Sequence, residues 1–128
     1  MKIRELLENA DNIDEFLSNI RSIRDKYSNV NLDFIMDSDD CMLIDSISLP
    51  EHMQKQGIGT DIMREIVDVA DKFKKSIKVQ VHSYNDDYEN DIGQDKLEEW
   101  YSRFGFVRKG YDVSDNPVMV RHPQNQNN

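Results

Sequence analysis

Two glycines one residue apart, Gly57 and Gly59, stand where an apolar, strand-like run gives way to a helical one. The run ends in Ile47-Ser48-Leu49-Pro50. Beyond the glycines, Ile58, Ile62, Ile66, Val69, Ala70 and Phe73 fall on one stripe at helical spacing. A strand that feeds a helix through Gln54-Lys55-Gln56-Gly57-Ile58-Gly59-Thr60 must turn tightly, and glycine permits that turn without a Cβ penalty. The first N–H groups of the helix have no intrahelical acceptor and point outward, where an anion can accept them. The loop therefore reads either as a backbone anion site or as a glycine pair that only starts a helix. It lacks the Gly-Lys-Ser/Thr ending of a P-loop and the third glycine of a dinucleotide-binding turn.

The rest of the pattern sets a frame around this junction. Residues 13–27 carry Ile13, Phe16, Leu17, Ile20, Ile23 and Tyr27 at three- and four-residue spacings, which predicts an amphipathic helix capped by Asn12. Ile3, Leu6 and Leu7 add a short helical turn before it. Val30, Leu32, Phe34 and Met36 alternate as one face of a strand, and Asp37-Ser38-Asp39-Asp40 turns the chain into a return arm over residues 41–49. Residues 77–81 form a short strand and residues 94–103 a second amphipathic helix, stopped by Gly105. Val118-Met119-Val120 is the last strand. The expected order is helix, strand, strand, helix, strand, helix, strand. That order specifies an α/β (α+β) architecture with a mixed sheet flanked by helices.

Composition narrows the class. With 128 residues the expectation is a single domain, with a helical segment over residues 1–29 and a polar tail over 122–128 that frays. The net charge of −9 opposes direct nucleic-acid binding and suits a cationic partner, although acidity also simply keeps a small protein soluble. No apolar stretch has the length of a membrane span, and the first residues lack the apolar core of a signal peptide, so a cytoplasmic location is expected. The lone Cys41 cannot form an internal disulfide and reads as a strand-packing residue.

With its glycine loop, this order of elements resembles the GCN5-related N-acetyltransferase family. Gln54-Lys55-Gln56-Gly57-Ile58-Gly59 matches that family's Gln/Arg-x-x-Gly-x-Gly/Ala cofactor loop. Trp100-Tyr101-Ser102-Arg103-Phe104-Gly105-Phe106 matches its aromatic pair followed by Gly-Phe. The two motifs stand in the family's order, about 40 residues apart. The resemblance covers roughly residues 32–120, and a helical start replaces the family's first strand. The chain is thus similar to compact, phage-type members, with a mostly antiparallel sheet.

The resemblance implies acetyl-CoA as cosubstrate and transfer of acetyl to a primary amine, on a basic protein, a polyamine or another small amine. It implies that Ile47, Ser48 and Leu49 carry the pantetheine arm, while Gln54, Lys55, Gln56, Gly57, Ile58, Gly59 and Thr60 hold the pyrophosphate. Tyr101 matches the proton donor to the departing thiolate; a phenol near 10 is well matched to a thiol of about 8.5. Asp45, expected on the same strand face as Ile47, matches the position of a carboxylate base, with a water relay as the alternative. His82, Tyr84, Asp86 and Asp87 are candidate acceptor contacts, by cation–π and charge; a solvated loop is the plain alternative. Asp87, Glu89, Asp91 and Glu98 fall at calcium-loop offsets, but Ile92 stands where that loop needs glycine, so no metal is expected. A homodimer is compatible with the family. The rival readings are a catalytically inactive CoA-binding protein and a host-directed interaction protein on the same scaffold.

Overall fold

A computed structural model describes the backbone of residues 3–27, 30–48, 57–81 and 94–124, and side chains within 13–27, 30–45, 57–81 and 96–124. Its elements are α1 (Ile3–Lys26), β1 (Asn31–Ser38), β2 (Cys41–Ser48), α2 (Ile58–Lys72), β3 (Ser76–Gln80), α3 (Gln94–Ser102), β4 (Val107–Tyr111) and β5 (Pro117–Arg121). The α+β class and the helical start agree with the sequence reading. Two details differ. Asn12 does not cap a helix, because α1 runs through it as one piece. A further strand, β4, precedes the last one and forms an edge of the sheet. Its sequence Val-Arg-Lys-Gly-Tyr does not alternate, because a register shift between Arg108 and Gly110 interrupts the pairing with β5.

The sheet order is β1-β2-β3-β5-β4, and β2–β3 is its parallel pair. The helix between those two strands must therefore run back across the sheet. Since Cys41 pairs with Ser76, the C-terminal end of α2 lies near the start of β2. Its amino terminus lies near the end of β2. Gly57 thus sits at the carboxyl end of the parallel strands, the usual ligand side of an α/β crossover.

One face of the sheet carries the core. Met36 pairs with Met42 and Phe34 with Ile44; Met42 and Ile44 in turn pair with Ile77 and Val79, and Val79 with Met119. Met42, Ile44, Ile77, Val79 and Met119 are all buried. All three helices pack on this face. From α1, Arg24 lies over the Phe34 ring at 5.6 Å and Phe16 meets Phe73 at 5.9 Å. From α2, Asp71 grips Arg121, the register partner of Ile77. From α3, Glu98 accepts hydrogen bonds from Arg108, the partner of Met119. Across the opposite face runs the row Ile35, Leu43, Lys78, Val120 and Val107, none of them buried.

Helices α1 and α2 are also joined directly. The Tyr27 hydroxyl donates to Glu65 at 2.5 Å, and Lys26 Nζ donates to the other carboxylate oxygen at 2.9 Å. Cys41 is half-buried on the open face. Burial pushes its thiol up, with Asp37 adding to the shift and Lys78 opposing it, so the group behaves as a packing residue rather than a nucleophile.

Candidate active site

The parallel strands part partway along β2. Their pairing ends at Ile44↔Val79. Beyond it, β3 stays with β5, as Gln80 pairs with Val118 and Val81 N–H donates to the Pro117 carbonyl at 2.8 Å. On the other side, β2 stays with β1 through Ser46↔Asp33, Ile47↔Leu32 and Ser48↔Asn31. A bulge marks the divergence. Phe34 pairs with Ile44 and Asp33 with Ser46, which leaves Asp45 as an extra residue on β2. The simple alternation expected to set Asp45 and Ile47 on one face is broken there, and Asp45 is exposed. Among the described residues, no strand pairs with the β3-facing edge of β2 from Asp45 to Ser48. Among the described residues, that edge leaves a row of backbone donors and acceptors to which an extended ligand could pair.

The described part of the glycine loop begins at Gly57. Gly57 is the N-cap of α2 in the left-handed conformation, φ 77° and ψ 5°, and no side chain among the described residues caps the helix. Asp61 N–H returns to the Gly57 carbonyl at 3.0 Å, which closes the first turn. The preceding N–H groups, of Ile58, Gly59 and Thr60, are the free donors that any helix start presents.

Helix α3 ends in a motif that accounts for the spacing of its aromatic residues. Gly105, φ 94°, occupies the left-handed position just past the helix. Gly105 N–H donates to the Ser102 carbonyl at 3.0 Å and Phe106 N–H to the Tyr101 carbonyl at 3.4 Å, the paired bonds of a Schellman cap. That cap also brings its two flanking hydrophobic residues together. Here they are Tyr101 and Phe106, with ring centroids 5.4 Å apart. Tyr101 is held from the other side by Trp100 at 5.1 Å, and Trp100 meets Phe104 at 5.0 Å.

The two sequence motifs touch. Trp100 Nε1–H donates to Thr60 Oγ1 at 3.4 Å, which joins α3 to the first turn of α2. Nothing in the sequence singles out this bond, since Thr60 reads there only as the end of the loop. Tyr101 is buried, and among the described residues its hydroxyl has no hydrogen-bond partner. Burial pushes the phenol up to about 12. The gap to a thiol of about 8.5 is thereby wider than the ordinary phenol value would make it. Such a group can donate a hydrogen bond to a thiolate, but it does not readily surrender its proton.

Other predicted residues divide as follows. Ile47 and Ser48 lie on the diverging part of β2. Leu49, Gln54, Lys55, Gln56, His82, Tyr84, Asp86 and Asp87 lie outside the described residues, as does most of the calcium-like loop. Glu98, from that loop's spacing, is taken up by Arg108. The tail expected from His122 onward is held as far as Gln124, whose N–H donates to Asp71 at 2.9 Å. Sequence reasoning missed the buried pair Arg121–Asp71, which joins residues 50 apart along the chain.

No protein-family model and no curated protein matches the sequence. Solved structures do match the fold. Ard1 from Thermoplasma volcanium is 18% identical, with a TM-score of 0.56 over 75% of this chain and 64% of its own. The PaiA N-acetyltransferase of Thermoplasma acidophilum, solved in complex with coenzyme A, is 14% identical, with a TM-score of 0.53 over 73% of this chain and 52% of its own. The anti-CRISPR protein AcrVA5 is 26% identical, with a TM-score of 0.54 over 73% of this chain and 90% of its own. The chain thus spans between half and two-thirds of the first two and nearly all of the third. Together with the parted strands, the glycine-capped helix and the aromatic cap, these likenesses give the chain the fold of the GCN5-related N-acetyltransferases.

Proposed function

We propose that residues 1–128 act as one N-acetyltransferase domain in the cytoplasm, using acetyl-CoA to acetylate a primary amine. The observation that carries this reading is the contact between Trp100 and Thr60, which joins the two motifs. The residues present fit the cosubstrate. An uncapped helix start behind a left-handed glycine offers N–H groups to a pyrophosphate. The free edge of β2 offers backbone pairing to the amide-containing pantetheine arm. Ile47, Ser48 and Leu49 would supply that edge, and Gln54, Lys55 and Gln56 would complete the loop. Structural neighbours solved with coenzyme A or a CoA-based analogue support this choice of donor.

Acetyl-CoA supplies the activated acyl group. The chain's own residues have three tasks. Asp45, exposed at the bulge where the strands part, takes the proton that an ammonium must lose before its lone pair is available, directly or through water. The new C–N bond forms as the C–S bond breaks, with the electron pair leaving on sulfur. The Tyr101 hydroxyl, kept neutral by burial, donates a hydrogen bond to that sulfur; the acylated nitrogen then gives up its second proton to solvent, and the thiolate takes one up from solvent. His82, Tyr84, Asp86 and Asp87 are the proposed acceptor contacts.

Calorimetry with acetyl-CoA and free-thiol release over a panel of amines test the proposal together. Binding in the micromolar range is expected, along with thiol release that needs an amine. Tyr101→Phe is expected to lower turnover about tenfold or more, and Asp45→Asn less if water relays the proton. Absence of acetyl-CoA binding would refute the reading. One observation favours a second reading, an inactive CoA-binding protein. The Schellman cap alone explains the spacing of Tyr101, Gly105 and Phe106 without any chemistry. Binding without turnover on any amine would select it. Mass spectrometry of a lysate incubated with labelled acetyl-CoA then identifies the acceptor.

A further inference from the structure

Helix α3 is fastened at its far end by a group that belongs to neither motif. Phe104 closes α3 in the Schellman arrangement, and its carbonyl is one of the helix-end acceptors left without an intrahelical donor. Arg121 Nε–H donates to it at 2.6 Å. The two terminal nitrogens of the same guanidinium fork onto Asp71 of α2, at 2.6 Å and 2.9 Å. Both side chains are almost fully enclosed, 4% and 7% exposed. A planar guanidinium with all three nitrogens engaged fixes direction as well as distance, which an ammonium cannot reproduce. Two ties therefore hold α3 against α2: Trp100 to Thr60 at the glycine-loop end, and Phe104 through Arg121 to Asp71 at the other. Tyr101 lies between them.

We propose that Arg121 and Asp71 are positioning residues for the Tyr101 hydroxyl, setting its place through the end of α3 rather than contacting any ligand. This rests on the acetyl-transfer reading. A displacement of α3 by a fraction of an ångström alters the hydrogen bond to the leaving sulfur, while the β2 edge and the glycine loop remain in place to bind the donor. The pair thus acts on the chemical step and not on acetyl-CoA affinity. Small misplacements of this kind carry rate losses of about ten- to a hundredfold.

The test is a kinetic double-mutant cycle on the full chain with acetyl-CoA and an amine acceptor found in the panel. Arg121→Lys is expected to lower kcat about tenfold or more, with KM for acetyl-CoA unchanged within about twofold. In a Tyr101→Phe background the same substitution is expected to cost about twofold or less, since the group it positions is gone. Asp71→Asn, which keeps the shape of the carboxylate but not its charge, should repeat the pattern. Emission from Trp100, the protein's single tryptophan, should shift in both variants, because its ring packs against Tyr101 and Phe104. Equal losses in both backgrounds, or a rise in KM with kcat unchanged, overturns the proposal while acetyl transfer stands. Tyr101→Phe with full turnover removes the role of Tyr101 itself, and the positioning claim falls with it. Loss of fold in both Arg121→Lys and Asp71→Asn assigns the pair to stability alone and also overturns the proposal.

Discussion

Gly57 and Gly105 both hold positive φ, yet their surroundings are opposite. Among the described residues, a Cβ added at Gly57 meets nothing within 4 Å. At Gly105 it would lie 2.5 Å from Gln124 Nε2 and 3.5 Å from Arg121 Nε. The first glycine answers only to backbone conformation, and no described residue fills the space beside it at the start of a helix. The second answers to conformation and to crowding, and protein fills the space beside it. An open glycine at a helix start suits a visiting ligand, whereas an enclosed one at a helix end is part of the scaffold. The two motifs that resemble an acetyltransferase are therefore different in kind: one presents a surface, the other fixes a ring.

That contrast can be strained at several points. The largest effect is expected from Asp71→Ala, which removes one partner of the enclosed pair beside Gly105 and leaves the Arg121 charge buried. A loss of about 3–5 kcal/mol in unfolding free energy is expected, read from urea melts. A loss below about 1 kcal/mol would mean that this side is not a rigid scaffold.

Alkaline pH gives the next effect. Burial raises the Tyr101 phenol from the usual 10 to about 12 in the folded state. The neutral form is favoured by folding, so its contribution is intact below pH 10 and is lost as pH rises through about 12. Relative to Tyr101→Phe, the protein should lose roughly 2–3 kcal/mol across that window. Parallel melting curves for the two proteins between pH 9 and 12 would count against a buried phenol.

The glycines themselves give the smallest and most discriminating effect. Gly105→Ala should cost about 1–2 kcal/mol of stability, with acetyl-CoA affinity unchanged in the folded fraction. Gly57→Ala should cost about 1 kcal/mol or less, but weaken acetyl-CoA binding several-fold. Exchange of these two signatures would invert the assignment of scaffold and surface.

Much of this contrast is legible in the residues. Gly57 stands at a strand-to-helix junction and Gly105 at the end of a helix, and both positions follow from local periodicity. The core stripes of α1 and α2 are equally plain, because burial there follows a 3.6-residue period. What escapes the sequence depends on non-local geometry or on irregularity. Strand β4 is hidden because its bulge cancels the alternation by which a strand is recognised. The bulge at Asp45 is set by register against β1, so the face of that carboxylate cannot be counted from Ile47. Asp71 and Arg121 each look like an ordinary surface charge in sequence, and only the packing of α2 over β5 buries them together. Asn12 illustrates the reverse case: a residue well suited to capping lies inside a helix whose upstream turns continue through it.

The parallel pairing of β2 with β3 has one more consequence, for how the chain comes together. Two antiparallel sets, β1–β2 and β3–β5–β4, are joined in the sheet by the four rungs from Cys41↔Ser76 to Ile44↔Val79. Hairpins such as β1–β2 close locally and early, while this seam must wait for the whole of α2 to cross over. The site proposed for acetyl-CoA lies at the end of that seam. A molecule bound there would touch both halves at once, and so act as a clasp across the last joint to form and the first to loosen.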